Sequence, residues 1–183
     1  MAVQVIASAY SDGGTLTAAA TASALPTYCI TTLPAGYWQI GRSWRITCSG
    51  RVSCVITTPG TFRLDLRMAA VTVFDTQALP LNVVAQTNVP WWGEFLLTCR
   101  TVGSSTSATL FGQGYLTSTA FLNTAAVATG PWTGTIAVPY NTAPVAGTGF
   151  DSTIANAIDF RFTQTVATGS FTMHNWIVEQ MTP

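Results

Sequence analysis

The chain has no lysine and very little charge of either sign. Of its 183 residues only 8 % are charged, whereas about 25 % is usual in a soluble domain. The seven arginines and seven acids cancel to a net charge of zero. Because binding to nucleic acid or to an anionic membrane begins with a basic patch, we expect neither as a partner.

A second absence is that of a long apolar run. Hydrophobic residues make up 48 % of the chain and the mean hydropathy is +0.37. Even so, no stretch approaches the roughly 18 consecutive apolar residues of a membrane-spanning helix. Residues 1–10 have no basic segment ahead of a short apolar stretch, so they predict a first strand or an extended arm rather than a signal peptide. The apolar content excludes disorder and suffices for one compact domain.

Metal ligands are also scarce. The chain has one histidine, His174, and four cysteines without a Cys-x-x-Cys pair, so we predict no metal site and no cofactor. Cys48, Cys54 and Cys99 share strand parity with apolar neighbours. With Cys29 they are expected to be buried free thiols; disulfides are the alternative if the protein is made in an oxidising compartment.

Groups arranged for catalysis are not evident in the sequence. His174 lies within a predicted strand with no nucleophile motif beside it, and most acids stand singly on outward strand positions. Asp65 and Asp159 could be neighbours, but flanking arginines favour a surface ion network. Residues 112–114, Gly-Gln-Gly, are too short for a phosphate loop and indicate a bulge or close strand packing. The sequence therefore predicts no enzymatic activity.

What the chain does have is alternation of apolar and polar residues. Every second side chain is apolar in residues 62–68, and residues 44–49, 94–100 and 158–162 repeat this pattern of half-buried strands. Clusters of Gly, Pro and Ser separate the runs. We place strands at about residues 3–10, 27–33, 43–57, 61–76, 91–102, 107–119, 133–139, 157–167 and 170–180, with a helical turn as an alternative within 16–25 or 152–157. Eight or nine strands in one domain predict an antiparallel β-sandwich or barrel.

Several aromatic residues stand near predicted turns or strand starts instead of within the alternation. They are Tyr37, Trp38, Trp91, Trp92, Trp132 and Tyr140. Exposed aromatics contact sugars or partner proteins, whereas buried ones would close the ends of the sandwich. We expect Trp91 and Trp92 to be split, one inward and one outward. Trp91, Trp92, Trp132 and Tyr140 are the candidate interface or ligand contacts.

The shortage of charge also bears on assembly. A monomer with so neutral a surface would risk precipitation near its pI of about 6.5. A subunit that buries much of its surface against copies of itself avoids this, because stable interfaces are apolar and poor in lysine. A GC-rich genome would also lower the lysine content, since lysine codons are AT-rich, and both explanations stay open.

Several segments match by a loose hydrophobic pattern, with a W-x-[IL]-[ST] element at residues 44–47 and an E-x-x-L-T-x-R element at residues 94–100. The segments are residues 44–51, 62–68, 92–103, 111–114, 158–162 and 171–179. In this order they resemble the jelly-roll virion proteins of long-tailed bacteriophages that infect high-GC hosts, known as head decoration, minor capsid or minor tail proteins. The resemblance covers residues 36–180 and carries over no functional side chains.

The resemblance implies a single-domain β-sandwich of jelly-roll type over residues 27–183. Residues 1–26 would be an N-terminal arm that docks by strand addition or in an apolar groove. It further implies a homotrimer on the virion surface, assembled in the bacterial host cytoplasm, with the major capsid protein or a tail protein as partner.

Two functions from different classes follow. The first is a trimeric capsid decoration (cement) protein that stabilises the phage head by burying apolar surface between neighbouring subunits. The alternative is a tail-associated receptor- or carbohydrate-binding module, in which replacing Trp132 or Tyr140 would abolish glycan binding. A lectin-like glycosidase is disfavoured by the placement of the acids.

Overall fold

The computed structural model describes residues 3–55, 58–121, 134–167 and 169–181. These residues form twelve strands and one turn of 3-10 helix, Thr27–Cys29. The strands are β1 (Gln4–Ser8), β2 (Thr21–Ser23), β3 (Thr32–Leu33), β4 (Ser43–Cys54), β5 (Thr61–Met68), β6 (Val71–Asp75), β7 (Leu79–Pro80), β8 (Gln86–Thr101), β9 (Thr109–Ser118), β10 (Gly134–Val138), β11 (Asn156–Gln164) and β12 (Ser170–Gln180). They build two antiparallel sheets, which confirms the predicted all-β sandwich.

The strands pair in a regular order. The front sheet has the order β1-β12-β4-β8-β9-β10, and the back sheet has the order β2-β11-β5-β6, with β3 beside β11 and β7 beside β5. Eight of the strands pair in nested order along the chain, the first with the last and the innermost two with each other. The pairs are β1 with β12, β2 with β11, β4 with β8, and β5 with β6. β9 and β10 extend the front sheet beyond β8.

The inner faces of the sheets carry the apolar residues that the alternation predicted. In β5, Phe62, Leu64, Leu66 and Met68 are completely buried. β4 and β11 bury every second side chain in the same way. Burying a side chain of this size contributes about 1.5–3 kcal/mol, so these inward rows hold the two sheets together.

Aromatic rings from both sheets meet in the middle of the core. The Phe62 ring of the back sheet lies between 4.8 and 6.2 Å, centroid to centroid, from the rings of Trp91, Phe121, Phe162 and Phe171. All four contacts are edge-to-face, the arrangement that aromatic quadrupoles favour. Each such contact adds about 0.5–1.5 kcal/mol beyond the area it buries. The cluster therefore fixes the position of one sheet on the other.

The N-terminal segment contains the strand predicted at residues 3–10 and belongs to both sheets, whereas the resemblance implied an arm over residues 1–26. β1 pairs with β12 at the edge of the front sheet, and the backbone N–H groups of Ala9, Gly13 and Leu16 continue this bonding along β12. β2 then pairs with β11 in the back sheet. Without this segment one edge of β12 would be unpaired. Because the backbone groups of that edge need partners, the segment pairs with β12 instead of extending as an arm. Residues 3–26 are therefore held by their own chain and do not extend from it.

Some predicted boundaries also differ from the structure. Residues 27–33 form the 3-10 turn and the short strand β3 instead of one strand. Residues 61–76 form a hairpin that turns at Ala69, whose φ of 52° is left-handed. Neither residues 16–25 nor residues 152–157 contain a helix, and within the described ranges no helix has the length and hydropathy needed to span a membrane.

The four cysteines are buried free thiols, as predicted. Burial raises the pKa of each thiol, because a thiolate would lose its hydration inside the core. The thiol form is therefore favoured, and these side chains act as small apolar core residues.

The glycines at 112 and 114 mark close strand packing, the second of the two predicted explanations. A Cβ on Gly112 would overlap the ring of Phe74, and one on Gly114 would lie 2.8 Å from Phe95 Cα and overlap the carbonyl oxygen of Glu94. Only glycine leaves room for these neighbours in β9.

Candidate functional site

The outward side chains of the front sheet form a broad solvent face. The strand register aligns them in rows, and one row holds Ile177 of β12, Thr47 of β4, Glu94 of β8 and Tyr115 of β9. Neighbouring strands are about 4.8 Å apart, so the side chains of a row contact one another. Six strands therefore present a surface roughly 25–30 Å wide.

Large apolar side chains are exposed on this face. Val5, Leu96, Tyr115 and Ile177 have exposed fractions of 55, 54, 36 and 38 %. Leu96 and Tyr115 are diagonal neighbours on β8 and β9, within reach of each other. We name these four residues the apolar patch. Exposed apolar side chains grouped on one face are typical of protein–protein contact surfaces.

An ion pair lies between the two halves of the apolar patch. Arg45 Nη2 is 2.7 Å from Glu179 Oε2, and Arg45 Nε donates to the same oxygen at 2.8 Å. This hydrogen bond raises the pKa of Arg45, and the charges of Glu179 and Glu94 raise it further. A paired arginine enters an interface at lower cost than a lone charge would. The pair is therefore compatible with burial of this face against a partner.

A cleft of about 460 Å³ opens on the same face, one row beyond the apolar patch. Trp92, with 43 % of its surface exposed, lines the cleft together with Ser49, Thr117 and Asn175, which stand in the same row as the tryptophan. Asn175 Nδ2 donates to Ser49 Oγ at 2.9 Å. Among the described lining residues there is no Asp, Glu, Lys or Arg. The lining is thus aromatic and polar.

Trp91 borders the cleft from the core. It is 2 % exposed and stacks on Phe171 with ring centroids 5.1 Å apart. Its Nε1 has no hydrogen-bond partner among the residues that the structure describes. Gly50, which also borders the cleft, leaves room for this nitrogen, because a Cβ there would come within 2.9 Å of it. A buried donor without a partner costs about 1–3 kcal/mol.

His174 connects the cleft with the N-terminal segment. It is the extra residue in a bulge of β12 between Met173 and Asn175, and its Nδ1 lies 2.8 Å from Asp12 Oδ1. This contact helps to hold residues 9–16 against β12. Across the described ranges no three His, Cys, Asp or Glu side chains are grouped as metal ligands.

The outer face of the back sheet carries charge instead of apolar groups. Its ion pairs are Arg63–Asp75, Arg67–Asp65 and Arg161–Asp159. The hydrogen bond from Arg63 to Asp75 raises the pKa of the arginine. Asp65 was expected to be exposed but is buried, because Arg67 and Thr72 both donate to its carboxylate. Asp65 and Asp159 are each bound by a flanking arginine, in the ion network that the sequence predicted.

The candidate contact residues are separated by the structure. Trp91 is buried and Trp92 is exposed, which confirms the predicted split. Tyr140 is half-buried against the core and does not line the cleft. Trp132 lies outside the described residues. Of the four, Trp91 and Trp92 therefore meet at one site.

Tyr37 and Trp38 close one end of the sandwich. Trp38 is buried, with its ring 4.5 Å from that of Trp44. The Tyr37 hydroxyl accepts a hydrogen bond from Trp44 Nε1 at 2.8 Å and donates to Gln180 Oε1 at 2.7 Å. Both residues thus follow the core interpretation of the isolated aromatics.

The sequence analysis missed Leu96, Tyr115 and Ile177 as exposed apolar residues. A signal was present for Leu96, since three successive apolar residues at 95–97 place one of them on the outward side of a strand. Tyr115 and Ile177 become part of the patch only through the pairing of β8, β9 and β12 with their neighbours.

No protein-family model, no curated protein and no solved structure matches the chain. Its function is therefore to be inferred from its own residues and geometry.

Proposed function

We propose that the chain is a structural subunit of a bacteriophage virion: a homotrimeric decoration (cement) protein that binds the major capsid protein and stabilises the head. The apolar patch on the front sheet is the observation that carries this proposal. The patch gives a charge-poor chain a surface with which it can associate.

The order of strand pairing supports a jelly-roll fold. A jelly roll arises when an antiparallel ribbon of eight strands winds into two sheets, so that the first strand pairs with the last and the fourth with the fifth. Without the short strands β3 and β7 and the added β9 and β10, the remaining eight strands pair in this way.

The position of the apolar patch suits a contact between subunits. Two outward rows across six strands cover on the order of 350 Å², and the four apolar side chains share these rows with Thr47, Glu94 and the Arg45–Glu179 pair. In a closed trimer each copy buries the same surfaces, so the exposed Leu96 and Ile177 would be shielded without forming open-ended aggregates.

The composition of the face agrees with this use. Interfaces are enriched in Tyr and Arg and depleted in Lys, and this face holds Tyr115 and the paired Arg45 in a chain without lysine. The ion pair between Arg45 and Glu179, which lies within one subunit, would remain formed when the face is buried. Assembly then depends mainly on the burial of apolar area.

The mass of the purified protein tests the proposal directly. Light scattering should give three times the 19.3 kDa chain mass. Leu96→Asp should shift the particle to monomers and weaken association by about 100-fold or more, because it removes an apolar side chain of the patch and adds a second carboxylate beside the Arg45–Glu179 pair. Ile40→Asp is the matched control: Ile40 is 71 % exposed in the turn before β4, and the substitution should leave the mass unchanged.

Electron microscopy of phage particles with and without the protein distinguishes the head from the tail as the place of binding. Added density on the head supports decoration, and added density on the tail would contradict it and indicate a tail protein. A wild-type protein that is strictly monomeric and also fails to bind particles would contradict the proposal.

A further inference from the structure

The cleft beside Trp92 has the size of a small-ligand site. Its volume of about 460 Å³ lies within the roughly 300–1,000 Å³ that is usual for such sites. Most of its described lining residues stand on β12, β4, β8 and β9, so the hydrogen-bonded ladder of these strands fixes the position of this wall. Rigid walls reduce the entropy lost when a ligand binds.

The lining selects against charged ligands. In the described part of the cleft wall no guanidinium or carboxylate group is present, and the one ionisable side chain, His174, has its Nδ1 in contact with Asp12. An ionic ligand that leaves water needs a compensating charge in the site. The cleft therefore suits a neutral molecule.

The remaining groups match the two kinds of surface on a sugar ring. Trp92 offers an aromatic ring to an apolar C–H face, and the hydroxyls of Ser49 and Thr117 and the amide of Asn175 offer donors and acceptors to hydroxyl groups at the rim. Asn175 Nδ2 already donates to Ser49 Oγ. The serine hydroxyl proton and the asparagine side-chain oxygen are therefore the groups that would bond a ligand. We infer that this cleft binds a neutral saccharide that stacks on Trp92.

The saccharide site goes beyond the structural role proposed above and is separate from it on the face. The cleft lies one row beyond the apolar patch, and Leu96 and Ile177 do not line it. Tyr140, which the sequence suggested as a glycan contact, is not among the described lining residues. Trp92 takes that role in this inference.

Titration of the ¹⁵N-labelled full chain with maltose, lactose and diacetylchitobiose tests the inference, with glucuronic acid as the charged comparison. A neutral saccharide should shift the indole N–H signals of Trp91 and Trp92, and glucuronic acid should not. Trp92→Ala should weaken binding about tenfold or more through loss of the stacked ring, and Trp92→Phe should retain part of the affinity. Tyr10→Ala, at an exposed aromatic outside both the cleft and the apolar patch, should leave the affinity unchanged.

The outcomes that overturn the inference are distinct from those that overturn assembly. The saccharide site is refuted if none of the three neutral sugars shifts either indole signal, or if Trp92→Ala binds as well as the wild type. It is also refuted if Trp92→Ala dissociates the oligomer, since Trp92 would then be an interface residue. A monomeric Leu96→Asp variant that still binds the sugar supports the site whatever the mass of the wild type.

Discussion

Replacing glycine by alanine at three positions of β9 and β10 measures how closely the front sheet is packed. An added Cβ at Gly134 meets no atom of the described residues within 4 Å, and one at Gly112 meets the ring of Phe74. At Gly114 it meets the backbone of β8, with Phe95 Cα at 2.8 Å. The backbone is not left-handed at any of the three, so space alone distinguishes them.

The three substitutions should differ in sign and size. Gly134→Ala should raise the free energy of unfolding by about 0.5 kcal/mol, because alanine loses less backbone entropy on folding. Gly112→Ala should lower it by about 1–3 kcal/mol, since the Phe74 ring has to move within a filled core. Gly114→Ala should lower it by more than ~3 kcal/mol, because β8 and β9 would have to separate and lose ladder hydrogen bonds.

Urea denaturation at one fixed protein concentration is the assay, because self-association makes stability depend on concentration. Adding Phe74→Leu should rescue part of the loss in Gly112→Ala, with a coupling of about 1 kcal/mol, and should not rescue Gly114→Ala. Equal midpoints for Gly114→Ala and Gly134→Ala would refute the register of β8 and β9.

Two further predictions concern titratable groups. The four cysteines should resist a thiol reagent at mildly alkaline pH in the native protein and react fully in denaturant, because burial raises their pKa; rapid native modification of any of them would contradict their burial. Asp151 accepts hydrogen bonds from the Thr153 hydroxyl and from the N–H groups of Ser105 and Thr153, and these lower its pKa. Its contribution to stability is therefore present above the unfolded-state pKa and is lost as the pH falls through the lower folded-state pKa. Asp151→Asn should remove this part of the acid dependence of the unfolding temperature. An unchanged acid dependence would contradict the hydrogen bonds of Asp151 to Ser105 and Thr153.

The sequence could predict the core because strand alternation is a local signal. The parity of Phe62, Leu64 and Leu66 alone assigns these residues to an inner face, and the parity of Cys48 with its neighbours assigns that thiol to the core. A strand at residues 3–10 could also be predicted, and β1 lies there. The pairing of β1 with β12 and of β2 with β11 could not, because it depends mainly on backbone groups that nearly every residue type possesses.

The candidate site could be predicted only in part for a similar reason. The pair Trp91–Trp92 was visible, since one of two adjacent strand residues points outward. The cleft was not, because it needs Ser49 next to Asn175, and 126 residues separate the two in the chain. Such a contact depends on the registers of several strand pairs, which no local pattern encodes.

The pairing from the outside inwards also sets the order in which a ribosome-bound chain can fold. The β5–β6 hairpin is complete within a few residues of its own synthesis, but β4 gains β12 as a neighbour only when the chain has grown by about another hundred residues. At roughly 5–20 residues per second, the 126 residues between Ser49 and Asn175 correspond to about 6–25 s. Hairpins form in microseconds, so the rate of translation, and not strand association, determines when the front sheet closes. Until then one edge of β4 is unpaired and is open to pairing with a neighbouring copy of the chain.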